Sequence, residues 1–222
     1  MQFDTPAPLS VVLDVPAGRI RFIAADRADT VVEVLPADAA KSRDRKAVER
    51  TRVEYDGGVL RIEGPPADNR FLGPSGSVEV TVRLPVGSRV EARTADAELR
   101  GVGRLGDVAF EGARGPVELD EAASVRLAVL AGDVSVGRLG GPGEISTRKG
   151  DVRVTETVRG TVTLRTGHGD ISVGAARGVS ASLDAGAGHG RVHNTLRNAD
   201  GAAAGLTVHA TTAYGDITAR SL

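Results

Sequence analysis

Cysteine and tryptophan are both absent from this chain of 222 residues, and aromatic side chains are few. Without cysteine there is no disulfide, no thiolate metal site and no lipidated cysteine, which fits a reducing compartment. With four Phe and two Tyr available, Val, Ile, Leu, Ala and Thr must fill the interior. Such small side chains favour a narrow core between stacked strands over a thick globular core.

An excess of charge of either sign is also lacking, because 28 Lys and Arg stand against 29 Asp and Glu. A nucleic-acid-binding protein needs positive charge to neutralise phosphates, so we expect no nucleic-acid partner. No apolar run is long enough to span a bilayer. The first twenty residues contain no Lys or Arg before Arg19 and do not form a signal peptide, so we expect a cytoplasmic location.

Glycine, by contrast, is abundant and marks an internal repeat. The motif is Gly-Asp followed by Val or Ile, with variants in which one of these residues is replaced. The repeats begin at Ala97, Gly115, Gly132, Gly150, Gly169, Gly190 and Gly215. Their spacing of about twenty residues is typical of the rungs of a solenoid and is too short for a repeat that contains helices.

Apolar and polar residues alternate before and after each motif, as in Val162, Leu164 and Thr166 and then Ile171 and Val173. An alternation of period two indicates β-strands. No rung can bury its apolar face alone, so neighbouring rungs must stack at the strand spacing of ~4.8 Å. The sequence therefore predicts an all-β fold, a parallel β-solenoid of about seven rungs over residues 89–222.

Residues 1–88 are predicted to form an N-terminal β region that caps the solenoid within one continuous domain. Two strand-like segments, residues 52–55 and 59–62, flank an Asp-Gly-Gly turn and predict a β-hairpin. The polar stretch 38–50 is either a solvated loop or a short surface helix. Residues 64–77 are rich in Pro and Gly and predict a loop.

Several of these segments together resemble a known family. They are the Gly-Asp-Ile and Gly-Asp-Val rungs, Phe3-Asp4-Thr5-Pro6, Arg52-Val53-Glu54-Tyr55 and Tyr214-Gly215-Asp216-Ile217-Thr218. The chain is similar over nearly its whole length to the DUF4097 "putative adhesin" family of β-strand-repeat proteins, and most of all to actinobacterial members that look cytoplasmic. The resemblance implies a single-stranded, right-handed β-helix, in agreement with the handedness of parallel crossovers. It implies no established activity and no catalytic residues.

The turns of the repeat form a column that carries the main candidate chemistry. The column consists of Gly132, Asp133, Gly150, Asp151, Gly169, Asp170, Gly190, Arg191, Gly215 and Asp216. Carboxylates on adjacent rungs can hold Ca²⁺ or act as the paired acids of a glycosidase. Alternatively, each Asp accepts a hydrogen bond from its own turn. Because Asp recurs at nearly every turn, we predict a structural column with no catalytic, cofactor-binding or metal-binding residue.

Two further positions in this region carry expectations about stacking. Arg191 takes the Asp position of its rung, and we expect it to lie between Asp170 and Asp216, where it relieves the repulsion of stacked carboxylates. His168 and His189 take the same position on consecutive rungs, so we expect them to stack ~4.8 Å apart. A metal between them would lack a third ligand, and we therefore predict two exposed turn residues.

A glycine-rich segment, Gly101 to Gly106, fits the spacing of the dinucleotide-binding fingerprint. Strand-like residues follow it where a phosphate-binding helix would have to begin, so we expect no cofactor. The sequence thus favours a non-enzymatic scaffold or binding protein that presents an elongated surface to a protein partner or to a copy of itself. A carbohydrate-binding or carbohydrate-acting β-helix with stacked Asp residues is the alternative, although aromatic rings are scarce. A self-polymerising solenoid is a third hypothesis.

Overall fold

The structure, a computed structural model, describes residues 1–65 and 76–222, and nearly all of its regular structure is β. This confirms the prediction of an all-β fold. The predicted loop at residues 64–77 lies mostly outside the described residues. The described chain forms two compact units, Met1–Gly115 and Pro116–Leu222. Within the described part, no helix is both long and apolar enough to cross a membrane.

The N-terminal unit combines parallel strands that are arranged as rungs with strands that pair antiparallel. Its elements are β1 (Gln2–Asp4), β2 (Ser10–Asp14), β3 (Ala17–Ala25), β4 (Asp29–Pro36), α1 (Ser42–Arg50), β5 (Arg52–Asp56), β6 (Val59–Glu63), β7 (Val78–Pro85) and β8 (Arg89–Arg114). Strand β2 pairs in parallel with β6 and β8, and β3 pairs in parallel with β7 and β8. Alternate residues of these strands, among them Leu13, Ile20 and Phe22, are buried. The glycine-rich segment 101–106 is part of β8, so no helix begins there.

Local sequence signals account for two further features of this unit. Strands β5 and β6 form the predicted hairpin, in which Gly57 and Gly58 both have positive φ angles of 54° and 80°. The polar stretch 38–50 contains helix α1, one of the two predicted alternatives. Asp44 of α1 is buried and accepts hydrogen bonds from the backbone N–H groups of Asp38 and Ser77. This carboxylate therefore ties the helix to the start of β7.

The C-terminal unit consists of two parallel sheets that share strand β9, and a Gly-Asp turn, or Gly190-Arg191 in one case, joins the two parts of each rung. Its strands are β9 (Val117–Ala131), β10 (Val134–Leu139), β11 (Gly143–Lys149), β12 (Val152–Thr157), β13 (Gly160–His168), β14 (Ile171–Ala175), β15 (Ala181–His189), β16 (Val192–Thr195), β17 (Leu206–Tyr214) and β18 (Ile217–Ser221). One sheet has the order β9, β11, β13, β17, β15. The other has the order β9, β10, β12, β14, β18, β16.

The spatial order of the last rungs in this unit differs from their order along the chain. Residues 206–221, which form β17 and β18, pair with β13 and β14 on one side and with β15 and β16 on the other. We call residues 206–221 the inserted rung. Residues 181–195, which form β15 and β16, are called the edge rung, because among the described residues they pair with the inserted rung alone. The expectation that consecutive rungs stack in sequence order is wrong at this end.

The core of the C-terminal unit lies between its two sheets. In-register apolar residues form continuous columns, because residues of equal phase in parallel strands point to the same face. One column contains Val134, Val152, Ile171 and Ile217, each of which is at most 1% exposed. Stacking thus buries in every interior rung a face that no rung could bury alone.

Candidate functional site

The Gly-Asp turns of the C-terminal unit require glycine for two separate reasons. Gly150 has a φ angle of +141°, a conformation that residues with a Cβ rarely adopt. In addition, a Cβ at this position would overlap the carbonyl oxygen of Gly132 on the neighbouring rung. Gly190 of the edge rung has the same geometry, with a φ angle of +154° and the carbonyl oxygen of Gly215 at the position of a Cβ.

The aspartates of these turns form a ladder of hydrogen bonds between rungs. Oδ1 of Asp133 accepts the backbone N–H of Asp151 at 2.8 Å. Oδ1 of Asp151 accepts the N–H of Asp170 at 2.8 Å, and Oδ1 of Asp170 accepts that of Asp216 at 2.7 Å. The expectation that each Asp bonds its own turn is therefore wrong, because the acceptor serves the next rung. Each bond is charge-assisted and fixes the register of two rungs at their turns.

Arg191 ends this ladder. Its backbone N–H donates to Oδ1 of Asp216 at 2.8 Å, and its guanidinium lies 3.7 Å from Oδ2 of the same residue. The side chain of Arg191 is 91% exposed and offers no carboxylate to a further rung. The prediction that Arg191 lies between Asp170 and Asp216 is wrong, because the inserted rung places Asp216 directly beside Asp170.

A column of stacked rings runs beside the ladder, two residues before Asp170, Asp216 and Arg191. The rings of His168 and Tyr214 have centroids 4.9 Å apart, and those of Tyr214 and His189 are 4.7 Å apart. Both pairs are nearly parallel, with interplanar angles of 4° and 12°. The prediction that the two histidines stack directly on each other is wrong, since Tyr214 separates them. Both histidines are exposed, as expected, but their ring faces toward Tyr214 are covered.

The edge rung exposes residues that belong to the core columns. Val192 is in register with Ile217, yet Val192 is 45% exposed whereas Ile217 is fully buried. Asn194 is also exposed and continues a column in which Val173 and Ala219 are at most 1% exposed. Sequence reasoning missed this open end of the core. The polar Asn194 at an apolar position was the signal that could have revealed it.

The open end also carries backbone donors without a described acceptor. In the interior rungs, the N–H of the turn Gly and the N–H two residues later donate to carbonyl groups of the next rung, as Gly215 does to His189 and Ile217 does to Arg191. The corresponding donors of the edge rung are those of Gly190 and Val192. No acceptor for either is found among the described residues. An unpaired strand edge of this kind is a template for another strand.

The chemistry available at this end is that of recognition by backbone hydrogen bonds, charge and stacking. Within residues 1–65 and 76–222, no group of three or more His, Asp or Glu side chains is placed to hold a metal ion. The ladder carboxylates each have one oxygen engaged by a backbone N–H group. The guanidinium of Arg191, the outer face of His189 and the backbone N–H groups of Gly190 and Val192 remain accessible, whereas the N–H of Ala181 at the start of β15 donates to the carbonyl of Arg197.

Comparison with known proteins identifies one family. The family described as Toastrack DUF4097 matches residues 10–221. No curated protein is similar to the chain at a significant level.

Three solved structures are similar to the chain over nearly its whole length. The first is described as a "putative cell adhesion protein" from Clostridium sporogenes, with 13% identity, coverage of 100% of this chain and 98% of that chain, and a TM-score of 0.40. A "putative adhesin" from Bacteroides fragilis has 11% identity, coverage of 99% and 95%, and a TM-score of 0.47. A "putative lipid binding protein" from Parabacteroides distasonis has 10% identity, coverage of 98% and 95%, and a TM-score of 0.45.

Proposed function

The chain belongs to the Toastrack DUF4097 family, and we propose that it is a non-enzymatic binding scaffold. Its C-terminal unit presents the open end to a protein partner. The observation that carries the proposal is the exposure of Val192, 45% against at most 1% for the in-register Val152, Ile171 and Ile217. Exposed core positions next to unpaired backbone groups are typical of a surface that another polypeptide covers.

The carbohydrate-acting alternative has less support from the geometry. A glycosidase needs one carboxyl group that protonates the leaving group and a second that acts as base or nucleophile. Here Asp151 and Asp170 each hold a backbone N–H of the next rung, a role that recurs along the column. Sugar rings pack on the faces of aromatic side chains, but Tyr214 has both faces covered by histidines.

A photo-crosslinking experiment tests the proposed surface. His193 is an exposed residue of the edge rung, and Arg153 is an exposed residue of the same column in an interior rung. A benzophenone amino acid is introduced at either position in the full chain, which is expressed in its native cell. We expect a specific protein adduct from position 193 and none from position 153. Equal adducts from both positions, or none from either, would refute the proposal.

The absence of turnover is tested separately. A screen of polysaccharides for hydrolysis or elimination is run with the parent chain and with Asp151→Asn and Asp170→Asn. We expect no turnover in any of them. Activity in the parent that both substitutions abolish, with circular dichroism unchanged, would establish the carbohydrate-acting alternative instead.

Three finer statements belong to the same proposal. Right-handed, single-stranded winding is supported by the strong preference of parallel crossovers for that hand. The division into an N-terminal region of residues 1–88 and a solenoid of residues 89–222 follows the start of the repeat. A cytoplasmic location remains a prediction from the sequence.

A further inference from the structure

We infer that the open end of the C-terminal unit binds an extended segment of a partner protein, in parallel to the turn between β15 and β16, that contains a planar side chain, a glycine and an acidic residue in succession. The start of β15 lies outside this binding surface, because the N–H of Ala181 already donates to the carbonyl of Arg197. The inference rests on the proposed function, because it specifies the partner of the same surface. It follows from the backbone groups of Gly190 and Val192, the guanidinium of Arg191 and the ring of His189, all of which lie at the turn of the edge rung.

The backbone donors determine the direction of the segment. The N–H groups of Gly190 and Val192 continue the series in which Gly215 donates to the carbonyl of His189 and Ile217 to that of Arg191. A parallel strand in the same register supplies its carbonyl groups at these two places. Parallel strands form such evenly spaced bonds along their length, so the segment continues the sheet.

The turn requires a glycine in the segment. At Gly190 a Cβ would overlap the carbonyl oxygen of Gly215, and the same overlap recurs between Gly215 and the carbonyl oxygen of Gly169. A segment that follows the turn of the edge rung passes the carbonyl of Gly190 in the same way. With any residue other than glycine at this point, the segment must move away from the edge rung and its hydrogen-bond register is lost.

Charge and stacking define the residues on either side of that glycine. The exposed guanidinium of Arg191 has one ion-pair partner among the described residues, Asp216 on the interior side. Its outer side therefore favours a carboxylate in the Asp position of the segment. His189 stacks on Tyr214 with one face, and its other face continues the ring column. A ring or a guanidinium two residues before the acidic residue would lie over that face.

The chain itself supplies a probe with this pattern. His168-Gly169-Asp170-Ile171 lies within residues 160–175, which form an interior rung. A fluorescein-labelled synthetic peptide with the sequence of residues 163–175, which leaves out the positions beside Ala181, is titrated with the full chain, and binding is followed by fluorescence anisotropy. Two control peptides carry Gly169→Ala or Asp170→Lys. We expect saturable binding of the parent peptide and loss of binding with the Gly169→Ala peptide.

Two variants of the full chain test the charge and the backbone donor. Arg191→Glu should weaken binding of the parent peptide by about tenfold, because an ion pair is replaced by a repulsive pair. The Asp170→Lys peptide should bind Arg191→Glu better than it binds the parent chain, a reversal that a general loss of structure cannot produce. Val192→Pro removes an outward N–H at the sheet edge, where proline is tolerated, and should abolish binding without lowering the urea midpoint.

The outcomes separate this inference from the proposed function. An adduct from position 193 together with no binding of the peptide would overturn the inference and leave the scaffold proposal intact. Equal binding of the parent and Gly169→Ala peptides, or the absence of a charge reversal, would also overturn it. Sedimentation velocity tests whether the chain associates with itself. Self-association that prevents peptide binding and that Arg191→Glu abolishes would assign the open end to a second copy of the chain. That result would likewise overturn the inference.

Discussion

Removal of one carboxylate from the Asp ladder should change the stability of the C-terminal unit in a way that depends on salt. Asp170 accepts the N–H of Asp216 and lies between Asp151 and Asp216 in the ladder. Asp170→Ala therefore removes a charge-assisted hydrogen bond, which contributes about 1.5 kcal/mol. It also removes the repulsion of Asp170 by its two neighbours.

The repulsion can be estimated from the spacing of the rungs. Two unit charges at ~4.8 Å repel by about 0.9 kcal/mol at the dielectric constant of water, so two neighbours contribute about 1.7 kcal/mol. At about 10 mM salt this repulsion is almost unscreened, whereas at about 1 M the Debye length is only ~3 Å. The two effects of Asp170→Ala should therefore nearly cancel at low salt. At high salt the loss of the hydrogen bond should remain, as a destabilisation of about 1 kcal/mol.

Urea denaturation followed by circular dichroism measures this difference, because urea is uncharged and leaves the ionic strength unchanged. Asp200→Ala is the matched control, since Asp200 is an exposed aspartate outside the ladder. We expect the free energy of unfolding of the control to differ from that of the parent by less than about 0.5 kcal/mol at both salt concentrations. If the effect of Asp170→Ala is the same at low and high salt, the ladder carboxylates do not interact, and the reasoning fails.

Three further substitutions test separate parts of the structure by their urea midpoints. Gly150→Ala should destabilise the C-terminal unit by about 2–4 kcal/mol, because Gly150 has a positive φ angle and a Cβ there would overlap the carbonyl of Gly132. Gly186→Ala is the control and should change stability by less than about 0.5 kcal/mol, because no atom lies near its Cβ. Similar midpoints for the two variants would contradict the turn geometry. Asp44→Ala should lower the free energy of unfolding by about 2 kcal/mol, since it leaves the N–H groups of Asp38 and Ser77 without their acceptor. Asp44→Asn should lower it by less. An unchanged midpoint for Asp44→Ala would show that this carboxylate does not stabilise the helix. Arg191→Asp should lower the free energy of unfolding by about 1 kcal/mol at low salt, because the new carboxylate faces that of Asp216 on one side only. The loss should be smaller at high salt, which screens the repulsion. A loss that grows with added salt would be inconsistent with repulsion.

The local features of this fold could be predicted from the sequence because they depend on short-range rules. Alternation of period two identified the strands, and adjacent glycines identified the hairpin turn at Gly57 and Gly58. The regular Gly-Asp motifs identified the turns of the rungs. None of these signals depends on which rung lies beside which.

The order of the rungs, by contrast, depends on contacts between distant segments. In sequence order, Asn194 would lie between Val173 and Ala219, and burial of an unpaired amide costs about 1–3 kcal/mol. Arg191 would interrupt the ladder and leave the N–H of Asp216 without a carboxylate. The observed order avoids both costs, because it moves these two residues to the edge. Asn194 and Arg191 depart from the pattern of their columns, and this departure is the sequence signal that their rung lies at the end of the stack. The interpretation of Arg191 as an interior residue overlooked this signal.

The insertion of one rung between two others has a consequence for how the protein is made. The edge rung is synthesised before the inserted rung, yet its strands pair with the inserted rung alone among the described residues. At translation rates of about 5–20 residues per second, the interval between the two lasts about one to a few seconds. During that time β13, β14 and residues 181–195 all lack the strands with which they pair in the folded chain. The final order of the strands can therefore form only after the inserted rung has left the ribosome, and until then the edge of β13 and β14 is open to chaperones.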